Sequence, residues 1–217
     1  MTTIEFVFFL VELAGTAAFA VSGAVTAIRR ELDLFGVLFL GAVTAIGGGV
    51  IRDLLLGQTP PQAFVNDIYL ATALVTALIV FLWTAYRWKH GSREWKYADA
   101  VLNFFDAAGL GIFSVIGVQN TISAGFGDNA FFCVFLGMTT GVGGGMLRDM
   151  MSRQTPVVFR KHIYALASIG GSVCYVCLQK VNPIAAVSVS VILVVAVRLL
   201  AAKYRWRLPK LREEAVK

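Results

Sequence analysis

Charge is scarce in this 217-residue chain: Asp, Glu, Lys and Arg together make up 15% of it, against about 25% in soluble globular domains. Histidine occurs twice and cysteine three times. No Ser-His-Asp, Cys-His or clustered metal-ligand pattern can be assembled from so few, so neither an enzyme nor a resident metal is expected. Cys174 and Cys177 form a C-x-x-C, but within an apolar run with no histidine near it, and Cys133 stands alone in another. All three read as small packing residues.

What fills the chain instead is apolar: hydrophobic residues make up 58% and the mean hydropathy is +0.74. Stretches of roughly 20 residues, each enough to cross about 30 Å of hydrocarbon as helix, fall near 4–28, 34–56, 66–88, 98–119, 129–151, 162–179 and 183–204, the sixth being the shortest. The expected class is therefore an all-α integral membrane protein with seven transmembrane helices. The first stretch opens with Glu5 in place of a basic segment and is longer than a signal-peptide core, so it reads as a retained helix.

Basic residues collect in alternate connections: Arg29 and Arg30; Arg87, Lys89, Arg93 and Lys96; Arg153, Arg160 and Lys161; and the tail from Lys203 to Lys217. The intervening loops carry only Lys180. The positive-inside rule then predicts a multi-pass protein of the cell (inner) membrane with its N-terminus outside and its C-terminus in the cytoplasm. The formal charge of +6 describes loops facing anionic membrane lipids at the cytoplasmic face, and no nucleic-acid partner is implied. His90 and His162 fall at cytoplasmic helix ends, and the run Lys203-Tyr204-Arg205-Trp206-Arg207 mixes cations with aromatics as an interfacial anchor does.

The chain is also a tandem duplication. Gly47-Gly48-Gly49-Val50-Ile51-Arg52-Asp53 recurs as Gly143-Gly144-Gly145-Met146-Leu147-Arg148-Asp149. Ala14-Gly15, Phe19, Val21 and Gly23 recur as Ala108-Gly109, Phe113, Val115 and Gly117, with Glu12 matched by Asp106. Gln58-Thr59-Pro60 recurs as Gln154-Thr155-Pro156, and Ile68-Tyr69 as Ile163-Tyr164. Each copy holds three spans, an odd number, so the second must insert upside down, giving two inverted three-helix repeats plus one extra helix. The expected boundaries are 1–90 for the first repeat, 98–180 for the second, 183–204 for a seventh helix without a counterpart, read as peripheral or stabilising, and 205–217 for a basic cytoplasmic tail.

Each glycine within a helix costs about 1 kcal/mol relative to alanine, so a triplet needs a reason. An irregular or bent segment whose freed carbonyls face water is the reading adopted for Gly47, Gly48, Gly49, Gly143, Gly144 and Gly145; close helix packing is the alternative. Charges at Arg52, Asp53, Arg148 and Asp149 are costly in a membrane and mark a polar route. Neighbours on a helix point about 100° apart, so an adjacent Arg-Asp pair is not expected to satisfy itself, and Glu12 and Asp106 are the candidate partners. A structural ion-pair network is the other reading of these charges. The inverted topology puts Arg52-Asp53 towards the outside and Arg148-Asp149 towards the cytoplasm. Gly15 and Gly109 are candidate kinks, Phe19 and Phe113 candidate apolar constrictions, and ordinary packing is the alternative for both pairs. Ser22 and Ser114 offer hydroxyls to an ion or to their own helix backbone.

The doubled glycine–Arg-Asp phrase, the two three-helix repeats and the added helix resemble the prokaryotic branch of the trimeric intracellular cation (TRIC) channel family, whose bacterial relatives also carry a glycine-transporter label. The resemblance covers nearly the whole chain. It implies a homotrimer with a pore in each protomer for monovalent cations, chiefly potassium, and no cofactor beyond potassium or sodium ions in transit. Animal members carry Lys-Glu before the second triplet where this chain has Gly141 and Val142, so nothing tied to that lysine carries over. A secondary transporter of a small solute such as glycine is the runner-up, since inverted repeats serve alternating access equally well.

Overall fold

The computed structural model describes residues 3–90, 98–160, 163–204 and 206. Helices α1 (Thr3–Arg29), α2 (Leu34–Leu55) and α4 (Asp67–Lys89) make up the first repeat, with the single-turn α3 (Gln62–Val65) between the last two. The second repeats the plan as α5 (Ala98–Thr121), α6 (Ala130–Met151), the single-turn α7 (Val157–Arg160) and α8 (Ile163–Leu178), and α9 (Pro183–Lys203) follows. Among the described residues six helices are long and apolar enough to cross a membrane. At 16 residues, α8 is shorter and reaches about 24 Å. His162, Lys161, Arg93, Lys96 and most of the 205–217 tail lie outside the described residues; Tyr204 and Trp206, at the end of α9, stack with ring centroids 6.4 Å apart.

Asparagine and aspartate start several of these helices. Asp33, Asn66, Asn129 and Asn182 each accept from a backbone N–H in the first turn that follows, satisfying donors that no intrahelical carbonyl can reach. The fourth expected span is extended, because α5 runs on through a π turn, Ile122–Phe126, until Gly125 adopts a φ of +93°. α2 and α6 end alike: Gly57 and Arg153 take left-handed φ values of 71° and 55°. The next amides, of Gln58 and Gln154, then reach back 2.8 Å to the carbonyls of Asp53 and Asp149, the six-to-one closure of a Schellman turn.

Within the first repeat α1, α2 and α4 pack together; within the second α5 packs on α6 and α8, and α6 on α8. The repeats join through α2 against α6 and α1 against α5, and α9 covers α5 and α8. Inversion shows in the contacts between chain ends. Arg29 at the end of α1 meets Asp99 at the start of α5 at 2.8 Å. With its amide oxygen oriented towards the guanidinium, Gln154, beyond α6, accepts from Arg30 Nη2 and Nε at 3.1 and 3.2 Å.

The glycine triplets correct the sequence reading. Both α2 and α6 are continuous α-helix through them, so no irregular backbone is opened; the glycines let the two helices cross in near backbone contact. A methyl on Gly48 would sit 2.1 Å from the Thr140 carbonyl oxygen, and one on Gly144 would sit 2.2 Å from that of Thr44. Gly47 faces Leu147 and Gly143 faces Ile51, side chains that occupy matching places in the two copies. The helices α1 and α5 are likewise unbroken at Gly15 and Gly109. What glycine supplies there is room: a Cβ at Gly15 would lie 2.6 Å from Ile112, and one at Gly109 2.1 Å from the Phe19 ring.

A doubled charge site bracketing an aromatic pair

Each of α1 and α5 carries an acid and, seven residues on, a phenylalanine: Glu12 then Phe19, Asp106 then Phe113. Seven residues are two helical turns, about 10.5 Å along one face. Phe19 and Phe113 meet between the repeats with ring centroids 5.3 Å apart and planes 27° from parallel, and both are buried. The stripe on α5 continues another seven residues to Asn120 and the line down α1 continues to Ser22, so each helix serves one charge cluster with its acid and the other with a neutral polar group.

In the second repeat the cluster is closed. Arg148 Nε and Nη2 donate to Asp149 Oδ1 at 2.9 and 2.8 Å, while Nη1 donates to Asp106 Oδ1 at 2.7 Å and to the Ser22 hydroxyl of α1. Asp149 Oδ2 accepts from the Val157 amide at 2.8 Å, tying the end of α6 to the first turn of α7. Tyr164 Oη points at Asp106 Oδ1 from 3.4 Å. Arg198, from α9, places Nη2 3.5 Å from Asp106 Oδ2 and its guanidinium carbon 4.5 Å from the Tyr164 ring centroid. Every charge in the group is buried.

The first repeat reproduces half of this. Arg52 Nε donates to Asp53 Oδ1 at 2.8 Å, Asp53 Oδ2 accepts from the Gln62 amide of α3 at 2.9 Å, and Tyr69 Oη donates to Glu12 Oε2 at 2.8 Å. The Asn120 side-chain oxygen, oriented towards the guanidinium, accepts from Arg52 Nη1 and Nη2 at 2.8 and 3.2 Å. Here, however, the group borders a cleft of about 330 Å³, including its open mouth, whose lining includes Glu12, Thr16, Gly49, Arg52, Asp53, Tyr69 and Phe113. Gly49 contributes the space, since a Cβ there would meet nothing nearer than Arg52 Nη2 at 3.7 Å; at Gly145, its counterpart, one would lie 2.7 Å from Tyr164 Oη.

Several expectations change. Adjacent Arg-Asp pairs do satisfy themselves in part, because the long arginine side chain folds back along its helix to the next residue's carboxylate. Asp106 partners Arg148 as expected, whereas Glu12 takes its hydrogen bond from Tyr69 and shares a cleft with Arg52. Ser114 bonds the Leu110 carbonyl and the Ser168 hydroxyl, each at 2.6 Å, away from the clusters; Ser22 reaches Arg148. Tyr69 and Tyr164 belong to the repeat unit, and Asn120 lies seven residues beyond Phe113, so all three had a signal in the chain. Arg198 had one too, as the single charge within the apolar run of α9 before Lys203. Among the described residues no group of three or more His, Cys, Asp or Glu is placed to hold a metal.

A family model described as glycine transporter matches residues 9–85 and 103–180, one stretch in each repeat. The chain is 44% identical over 163 residues to a UPF0126 membrane protein of Deinococcus radiodurans, covering 74% of this chain and 71% of that protein. It is 36% identical over 201 residues to the UPF0126 inner membrane protein YadS of Escherichia coli K12, covering 91% and 93% respectively. A solved structure bearing on conductance through TRIC cation channels superimposes with a TM-score of 0.80 at 35% identity, over 97% of this chain and all of that one. The trimeric intracellular cation channel orthologue from Rhodobacter sphaeroides does so at 0.83 and 29% identity, over 92% of this chain and 99% of its own.

Proposed function

Because this chain belongs to the TRIC family of trimeric intracellular cation channels, we propose that it is a cation channel of the membrane, potassium-permeable, with a pore inside each protomer of a homotrimer. The observation that carries the reading is the line of groups down α1 and α5: an acid-lined cleft, the stacked phenylalanines about two turns deeper, and a second acid about two turns deeper still. Glu12 and Asp53 face Arg52 in the cleft, leaving one negative charge that concentrates cations at its mouth. The Phe19–Phe113 pair is the apolar constriction, closed where the rings stack and conducting when they part and water enters. Asp106 and Asp149, with Arg148, form the polar exit on the far side, and potassium or sodium ions are transient occupants.

The alternate basic connections put the cleft of the first repeat outside and the second cluster towards the cytoplasm, with the basic loops against anionic lipid. In a background with Cys133, Cys174 and Cys177 replaced, a cysteine at Gln58 is expected to react with an impermeant reagent from outside and one at Gln154 only from the cytoplasm. Labelling of both from one face refutes this orientation. Planar-bilayer recording of the purified trimer in a potassium gradient tests conduction: unitary currents reversing near the potassium equilibrium potential are the expected result. The description of the matching family model favours one other reading, a small-solute transporter. Saturable glycine counterflow without unitary current is the outcome that would select it.

A further inference from the structure

The seventh helix has no counterpart in the first repeat, and the most unusual buried cation belongs to it. Arg198 is 4% exposed and its Nε has no hydrogen-bond partner. Its contact with Asp106 is long, 3.5 Å, where Arg148 holds the same carboxylate at 2.7 Å. Arg148 thus pairs with Asp106 through Oδ1, and Arg198 reaches the other oxygen, Oδ2, by this one long contact. A buried arginine in a membrane helix costs about 2.5 to 3.5 kcal/mol on insertion scales, so its retention needs another cause.

Charge supplies one. In the second cluster Asp106 and Asp149 face Arg148 and Arg198, and the formal charges cancel. In the first, Glu12 and Asp53 face Arg52, and one negative charge is left over. The difference in formal charge between the two sites is the guanidinium brought by α9. It lies loosely against its carboxylate and rests on the face of Tyr164, a cation–π seat that fixes a positive charge without consuming its hydrogen bonds.

We propose that Arg198 is a tethered cation: beside Asp106 its guanidinium takes the place that a mobile monovalent cation takes beside Glu12, so the second-repeat end of the path limits cation flow. This rests on the channel reading above. With one end of the path negative and the other neutral, the open channel passes unequal current at opposite voltages. Removing the guanidinium leaves both ends negative and the current more nearly symmetric.

The test is single-channel recording in symmetrical potassium chloride of the wild type, Arg198→Met and Arg198→Lys, each confirmed as a trimer by size exclusion. Arg198→Met is expected to raise unitary conductance about twofold or more and to flatten the current–voltage asymmetry, because a local negative charge concentrates cations. Arg198→Lys, which keeps the charge, is expected to stay close to wild type. Arg198→Gln replaces the methionine variant if the latter fails to assemble. A folded neutral variant with wild-type conductance and rectification overturns the proposal, as does failure of both neutral variants to fold, which would make the charge structural. A silent wild-type trimer instead defeats the channel reading from which the proposal starts.

Discussion

The first repeat leaves its acid at the edge of an open cleft, whereas the second encloses its acid between two arginines and a tyrosine. The backbones do not account for this, since both copies share the glycine crossing, the left-handed helix end, the amide that caps the aspartate and the tyrosine that faces the acid. The contrast comes from two local differences: the space beside Gly49 that Tyr164 Oη fills beside Gly145, and the packing of α9 mainly against the second repeat. Duplication supplied a symmetric scaffold, and an added helix together with the placement of one tyrosine made its two ends chemically unequal.

The largest expected effect comes from stripping the acid out of the closed cluster. Asp106→Ala leaves Arg148 and Arg198 buried with one carboxylate between them, and breaking a buried pair in this way costs about 3–5 kcal/mol; Glu12→Ala, at the open cleft, should lower thermal stability in detergent by far less. Equal losses would show that the two clusters are energetically alike. Next come the crossing glycines, where the copies are symmetric. Gly48→Ala and Gly144→Ala each push a methyl against a backbone carbonyl and should each cost about 1–3 kcal/mol, the range for overpacking. An unchanged melting temperature in either would mean that the helices do not meet as described.

Smaller effects discriminate more finely. Tyr69→Phe removes a 2.8 Å hydrogen bond to Glu12 and should cost about 1 kcal/mol. Tyr164→Phe removes a 3.4 Å one and keeps the ring under Arg198, so it should cost less; the reverse order would break the contrast. Gly49→Ala, with open space around it, is expected to raise stability by up to about 1 kcal/mol through helix propensity. Gly145→Ala, meeting Tyr164 Oη, is expected to lower it.

The spans, the duplication and the inversion were legible because they rest on apolar length and on literal recurrence of residues. The role of the triplets was not: glycine weakens a helix in isolation, but two glycine helices facing one another regain through close packing what each loses alone. Nor was the Arg-Asp geometry, since the separation of neighbouring side chains around a helix neglects the reach of arginine. The partners of Glu12 and Asp106 depend on which faces of α4, α8 and α9 turn inward, and periodicity is weak in helices that are apolar nearly all round. Arg198 stood alone in such a helix, with no pattern to say which way it turned.

The central claim is that the cleft beside Glu12 is the negatively charged entrance of a cation path. Its most direct test is the reversal potential of single channels in a potassium chloride gradient, compared between the wild type and Glu12→Gln. Wild-type channels are expected to reverse near the potassium equilibrium potential and the variant closer to zero, as chloride competes more evenly. An assembled Glu12→Gln trimer with unchanged reversal potential and conductance would contradict it.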